Sequence, residues 1–93
     1  MTTKTTDNLQ QEITPRFYDL KTVMAIIGIS RTTALKMIDA NHLPKPIQLF
    51  SRRNMWPCHE VEKVVKLLSA NLPKEELVKR ILQIEEQRKE LAK

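Results

Sequence analysis

The chain runs to 93 residues yet holds one glycine, one cysteine and four aromatic side chains. Each scarcity excludes a class of function. A lone glycine, Gly28, cannot build a phosphate-cradling loop, which needs close backbone approach at several positions. A lone cysteine, Cys58, rules out an internal disulfide and fits a reducing compartment. The one tyrosine, Tyr18, has no cluster of arginines and histidines around it in sequence. No Ser-His-Asp set or carboxylate pair stands elsewhere, so no catalysis is expected. His42, Cys58 and His59 lack a fourth ligand at zinc spacing, so neither a metal nor another cofactor is expected. No run approaches the ~18 apolar residues of a membrane span. The opening Met1-Thr-Thr-Lys-Thr-Thr-Asp-Asn lacks the apolar core of a signal peptide. The expectation is a soluble cytoplasmic protein with no membrane partner.

What the chain has is positive charge in one place. The formal net charge is +5, and residues 16–66 account for it, with nine basic side chains against four acidic ones. Residues 67–93 carry six basic and five acidic groups, and residues 1–15 one and two. Phosphate binding needs cations gathered on one segment, and this distribution supplies them.

That segment contains two helix patterns back to back. Leu20, Val23, Met24 and Ile27 recur at i, i+3, i+4, i+7, the stripe of a short amphipathic helix. Asp19 suits its N-cap. After Gly28, Ser30 opens a second pattern that sets Ala34, Met37, Ile38 and Asn41 on one face. Glycine between two helices suits a left-handed position where any Cβ is penalised. Ser30 suits an N-cap accepting from the amide of Thr32 or Thr33. Two short helices around a glycine turn make a helix-turn-helix. Its second helix, from Arg31 to about Asn41, presents Arg31, Thr32, Thr33 and Lys36 outward, as a DNA major groove requires.

Asn41-His-Leu-Pro-Lys-Pro46 then breaks the helix and stiffens the chain. Ile47-Gln48-Leu49 alternates as a half-buried strand does, and Met55-Trp56 reads as its return. Ser51-Arg52-Arg53-Asn54 forms the tip between them, placing two arginines where a wing grips phosphate or enters a minor groove. Trp56 reads as core. Pro57 suits the first turn of a third helix, with Val61, Val64, Val65 and Leu68 inward and Glu60 and Glu62 at its positive end. Asn71-Leu72-Pro73 closes it, and a fourth helix about 30 Å long follows. On that helix Leu77, Ile81, Ile84 and Leu91 form a heptad seam, interrupted by Arg88 where an apolar residue is due. Two readings of the seam stand open: self-association or partner binding, and packing onto the chain's own domain.

Taken in order, Leu20-Lys-Thr-Val23, Gly28-Ile-Ser-Arg-Thr-Thr33, Leu43-Pro-Lys-Pro46, Ile47-Gln-Leu49, Arg52-Arg53, Trp56 and Glu60-Val61 resemble the AlpA family of phage and prophage regulators. That family stands close to the excisionases, and the resemblance covers roughly residues 17–68. It implies a winged helix-turn-helix that binds specific DNA. Its members regulate integrase genes or act as recombination directionality factors. The chain departs from the family pattern at Met24, where a small residue is usual, and at Leu35, where tyrosine is frequent. It departs again at Phe50-Ser51, where the wing usually has glycine, leaving Asn54 for any left-handed conformation, and at Cys58-His59.

The expected architecture is therefore mainly α. It consists of a flexible arm over 1–15, a winged helix-turn-helix with a short two-stranded β wing over 16–70, and a long C-terminal helix over 72–93. The candidate DNA-contacting set is Ser30, Arg31, Thr32, Thr33, Lys36, Lys45, Arg52 and Arg53. The expected partner is double-stranded DNA carrying attachment-site or promoter repeats, with nucleoid association. A homo-oligomer on those repeats and an integrase are further expected partners, because one small domain covers only a short half-site. Two other classes remain: an adaptor that docks proteins through the seam, and a charge-driven nucleoid binder with no preferred sequence.

Overall fold

The computed structural model describes residues 16–49 and 53–91. It is mainly helical, with four helices and a small three-stranded antiparallel sheet, an arrangement compatible with a winged helix-turn-helix. In chain order the elements are β1 (Phe17–Asp19), α1 (Leu20–Ile27), α2 (Arg31–Asp39), β2 (Ile47–Gln48), β3 (Asn54–Pro57), α3 (Cys58–Ser69) and α4 (Lys74–Leu91). The arm expected over residues 1–15, Phe50, and the first half of the expected tip, Ser51 and Arg52, lie outside the described residues.

Local chemistry sets the first three boundaries. The Asp19 carboxylate accepts from the Thr22 N–H at 2.9 Å and starts α1. Gly28 ends it with φ 81°, a left-handed conformation that costs a Cβ-bearing residue about 1–2 kcal/mol. The N–H groups of Gly28 and Ile29 both return to the Met24 carbonyl, at 2.8 and 3.0 Å, so the helix end is closed by its own backbone. Ser30 then caps α2 by accepting from the Thr33 N–H.

The structure alters several expectations. The sheet has a third strand: β1 pairs antiparallel with β3, Phe17 opposite Pro57 and Asp19 opposite Met55, which makes β3 the centre of the order β1-β3-β2. The hairpin is thus joined through β3 to the lead-in of α1, and β3 is paired on both sides while β2 is an edge. Helix α2 stops at Asp39, and Asn41, expected on its inner face, instead takes φ 61°. The His42 N–H closes that end by donating to the Met37 carbonyl at 2.7 Å. Asn54 is not left-handed, because it opens β3 opposite Gln48. Pro57, expected in the first turn of α3, ends β3 one residue before the helix, so its missing N–H falls at the strand's last position.

The core is one cluster of Val23, Leu43, Trp56, Val61, Val64, Ile81 and Ile84. Trp56 is its largest fully buried side chain, and its indole N–H donates to the Pro44 carbonyl at 2.7 Å, tying β3 to the loop after α2. Ile81 and Ile84, the middle of the heptad seam, are buried in this core, with Leu77 packed against it. Their spacing serves packing of α4 onto α3 within the same chain. Leu91 remains 73% exposed at the helix end.

Arg88 explains the interrupted seam. Its guanidinium makes a fork onto Glu60 of α3, with Nε to Oε2 at 2.8 Å and Nη2 to Oε1 at 2.6 Å. The same Nη2 donates to the Lys45 carbonyl at 2.8 Å, while the Lys45 N–H donates to Glu85 at 3.1 Å. Glu60 is only 2% exposed, so a buried carboxylate is satisfied by a cation on the next helix, twenty-eight residues on in sequence. Through these bonds α4 grips the Pro-Lys-Pro segment that joins α2 to the hairpin.

Candidate nucleic-acid interface

Helix α2 turns Ala34, Met37 and Ile38 toward the core and leaves Arg31, Thr32, Thr33, Leu35 and Lys36 in solvent. Ala34 is fully buried, and its small side chain lets the helix lie close to the body. The exposed face is held rigid at both ends: by Gly28 and Ser30 at the start, by Asn41 and the Met37 carbonyl at the finish. No acidic residue stands in the first turn of α2, so the positive end of its dipole is not offset there.

The predicted set divides by what each side chain already does. Ser30 is used by the cap, where its hydroxyl accepts from the Thr33 N–H at 3.2 Å and donates to the Thr33 hydroxyl at 3.0 Å. It orients the first turn rather than projecting from it. Thr33 keeps its own hydroxyl proton for an outside acceptor. The side chains of Arg31, Thr32 and Lys36 have no hydrogen bond or ion pair among the described residues and stand free on one ridge. Lys45 is exposed but not free, because its ammonium donates to the Asn41 side-chain oxygen at 3.0 Å, at the far end of α2.

The hairpin lies next in the chain. Leu49 N–H donates to the Arg53 carbonyl at 3.3 Å across the mouth of the tip, and Arg53 is exposed. Arg52 lies outside the described residues. Arg53 sits near enough to Asp19 that its charge helps hold that carboxyl below its ordinary range. The larger causes are the hydrogen bonds that Asp19 accepts from the Thr22 side chain and backbone. Sequence reasoning missed this link because β1 was not read as a strand. With β1 paired to β3, Asp19 comes opposite Met55, two residues beyond Arg53.

The self-association candidates also divide. Ile81 and Ile84 are inside the chain's own core and Leu77 is half-buried, which leaves Leu91 and the unpredicted Leu82 as the exposed apolar side chains of α4. Among the described residues no three His, Cys, Asp or Glu side chains converge as metal ligands. Among the described residues no helix is long and apolar enough to cross a membrane.

The family model described as prophage CP4-57 regulatory protein (AlpA) matches residues 16–66, which span β1, the helix-turn-helix, the hairpin and most of α3. No curated protein and no solved structure gives a match. The match covers more than half of the chain, and the chain belongs to the AlpA family, a regulatory DNA-binding family of prophages.

Proposed function

We infer that the chain is a sequence-specific DNA-binding protein of a prophage or integrative element. In this reading it acts as a recombination directionality factor, as a transcriptional regulator of the integrase gene, or as both. The observation that carries the reading is the free ridge of Arg31, Thr32 and Lys36 on a helix fixed at both ends. Cations and hydroxyls without partners inside the protein are available to base edges and phosphates. A fixed helix spends little entropy in presenting them.

In this mechanism α2 lies in the major groove with its N-terminal turn toward the bases. Arg31 pairs with the O6 and N7 acceptors of guanine, for about 1–3 kcal/mol of discrimination. Lys36 meets phosphate. Arg52 and Arg53 hold the adjacent backbone or minor groove from the hairpin tip. The dipole of α2 adds to the attraction at its N-terminal end. One domain reads a short half-site, so several copies on repeated sites, or an integrase beside them, supply the rest of the affinity.

An adaptor that docks partners through the α4 seam has less to work with, since Ile81 and Ile84 are covered by the chain itself. Nuclease footprinting on DNA flanking the gene, attachment site included, tests the reading. The expected result is a protected repeat that survives excess competitor DNA. The dependence of log K on log salt should have a slope of about −4 to −5 for four to six phosphate contacts. Lys36→Ala should reduce that slope by about one without changing the preferred sequence. Protection that vanishes under competitor would leave only a charge-driven binder.

A further inference from the structure

Of the five large hydrophobic side chains that stand exposed among the described residues, only Leu35 lies on α2. It is 47% exposed. Its neighbours at helical spacing toward the N-terminus are Arg31 and Thr32, and Lys36 follows it, all three exposed. Leu35 therefore sits within the polar ridge, one turn along the same flank from Arg31, and not in the buried row of Ala34, Met37 and Ile38. Phosphate attraction gives no reason for an apolar group there, because leucine offers a phosphate nothing. The protein core gives none either, since about half of the side chain is outside it.

The major groove contains one apolar feature, the C5-methyl group of thymine, and it lies beside the hydrogen-bonding edges that Arg31 would read. We propose that Leu35 is a specificity-determining residue that reads a thymine methyl group. The proposal rests on the DNA-binding reading of α2 and adds to it a base identity that the polar residues cannot supply. Helical rise limits how far away that thymine lies. Residues four apart are separated by about 6 Å along the axis, and base pairs by about 3.4 Å. The thymine is one or two steps from the guanine that Arg31 contacts. Burying one methyl group at about 0.8 kcal/mol corresponds to about a fourfold change in affinity.

The experiment uses the full chain and duplexes selected by it from a random pool. Each thymine in the selected site is replaced in turn by deoxyuridine, which removes the methyl group and leaves every hydrogen-bonding group in place. The expected result is about a fourfold loss at one thymine per half-site. The Leu35→Ala protein should bind the thymine and uracil duplexes equally. That thymine should lie one or two steps from the guanine whose identity ceases to matter to Arg31→Ala. Circular dichroism checks that the exposed-site variants stay folded. Selective binding that is indifferent to uracil everywhere overturns the methyl contact and leaves the DNA-binding reading standing. Uracil sensitivity that persists in Leu35→Ala also overturns the assignment, because another group then reads the methyl. Selection that enriches no sequence overturns both readings.

Discussion

Replacing Arg88 with methionine should destabilise the protein severely, although the residue stands far along the chain from the helix-turn-helix. The side chain donates two hydrogen bonds to Glu60 and one to the Lys45 carbonyl. Methionine keeps much of the stem and removes all three. Glu60, at 2% exposure, is then a carboxylate sealed from water with no partner, the situation that costs about 3–5 kcal/mol when one member of a buried pair is deleted. The Arg88 side chain is itself 22% exposed, so some of its hydration survives in the native pair and the lower end, about 3 kcal/mol, applies. For a domain of this size each kcal/mol moves Tm by about 4–8 °C, so the fall should be about 12–24 °C in a thermal melt followed by circular dichroism. A second variant separates the charge from the packing. Removing both charges, as Glu60→Leu with Arg88→Met, should recover most of the loss, because the paired charges themselves contribute little beyond an apolar pair of similar volume. A melt of Arg88→Met within about 3 °C of the parent would refute the account, since it would mean that water reaches Glu60.

Cutting the chain after Leu72 removes Ile81 and Ile84, each worth about 1.5–3 kcal/mol of burial, and strands Glu60 as well. The truncated protein should lose its cooperative thermal transition, whereas an unchanged melt would place α4 outside the folded body. Gly28→Ala meets no atom within 4 Å of the new Cβ, so only the left-handed backbone is penalised, by about 1–2 kcal/mol in urea denaturation. Ser30→Ala should cost about 1 kcal/mol by removing the cap of α2, and the double variant should deviate from additivity because both residues fix one turn. The Asp19 carboxyl titrates below its ordinary value of 3.8, so its stabilising contribution is complete above that pH and is lost as pH falls through the lowered value. Asp19→Asn, which can still cap α1, should flatten the dependence of the urea midpoint on pH below about pH 4, and an unchanged acid limb would count against the assignment.

The sequence was legible wherever the determining interaction is local. Asp19 to Thr22 and Ser30 to Thr33 are three residues apart, and Gly28 acts on its own backbone, so the helix-turn-helix could be read at residue resolution. What could not be read depends on pairing at a distance. Phe17-Tyr18-Asp19 is too short to show an alternating pattern, and its strand character comes from β3, whose partners lie nearly forty residues on. The same limit hid the fate of the C-terminal helix. A spacing of four, three and seven residues draws an apolar line down one side of a helix, and that line fits a second copy or the chain's own α3 equally well. The polar residue that breaks the line was the discriminating signal. A coiled-coil seam would carry Arg88 as an isolated charge in an apolar interface, whereas an intramolecular face can aim it at one fixed carboxylate. Glu60, twenty-eight residues earlier and inside a helix otherwise apolar on its inner face, was the matching anomaly. Two opposite charges, each misplaced in its own apolar pattern, point to each other more strongly than either pattern points to a partner outside the chain.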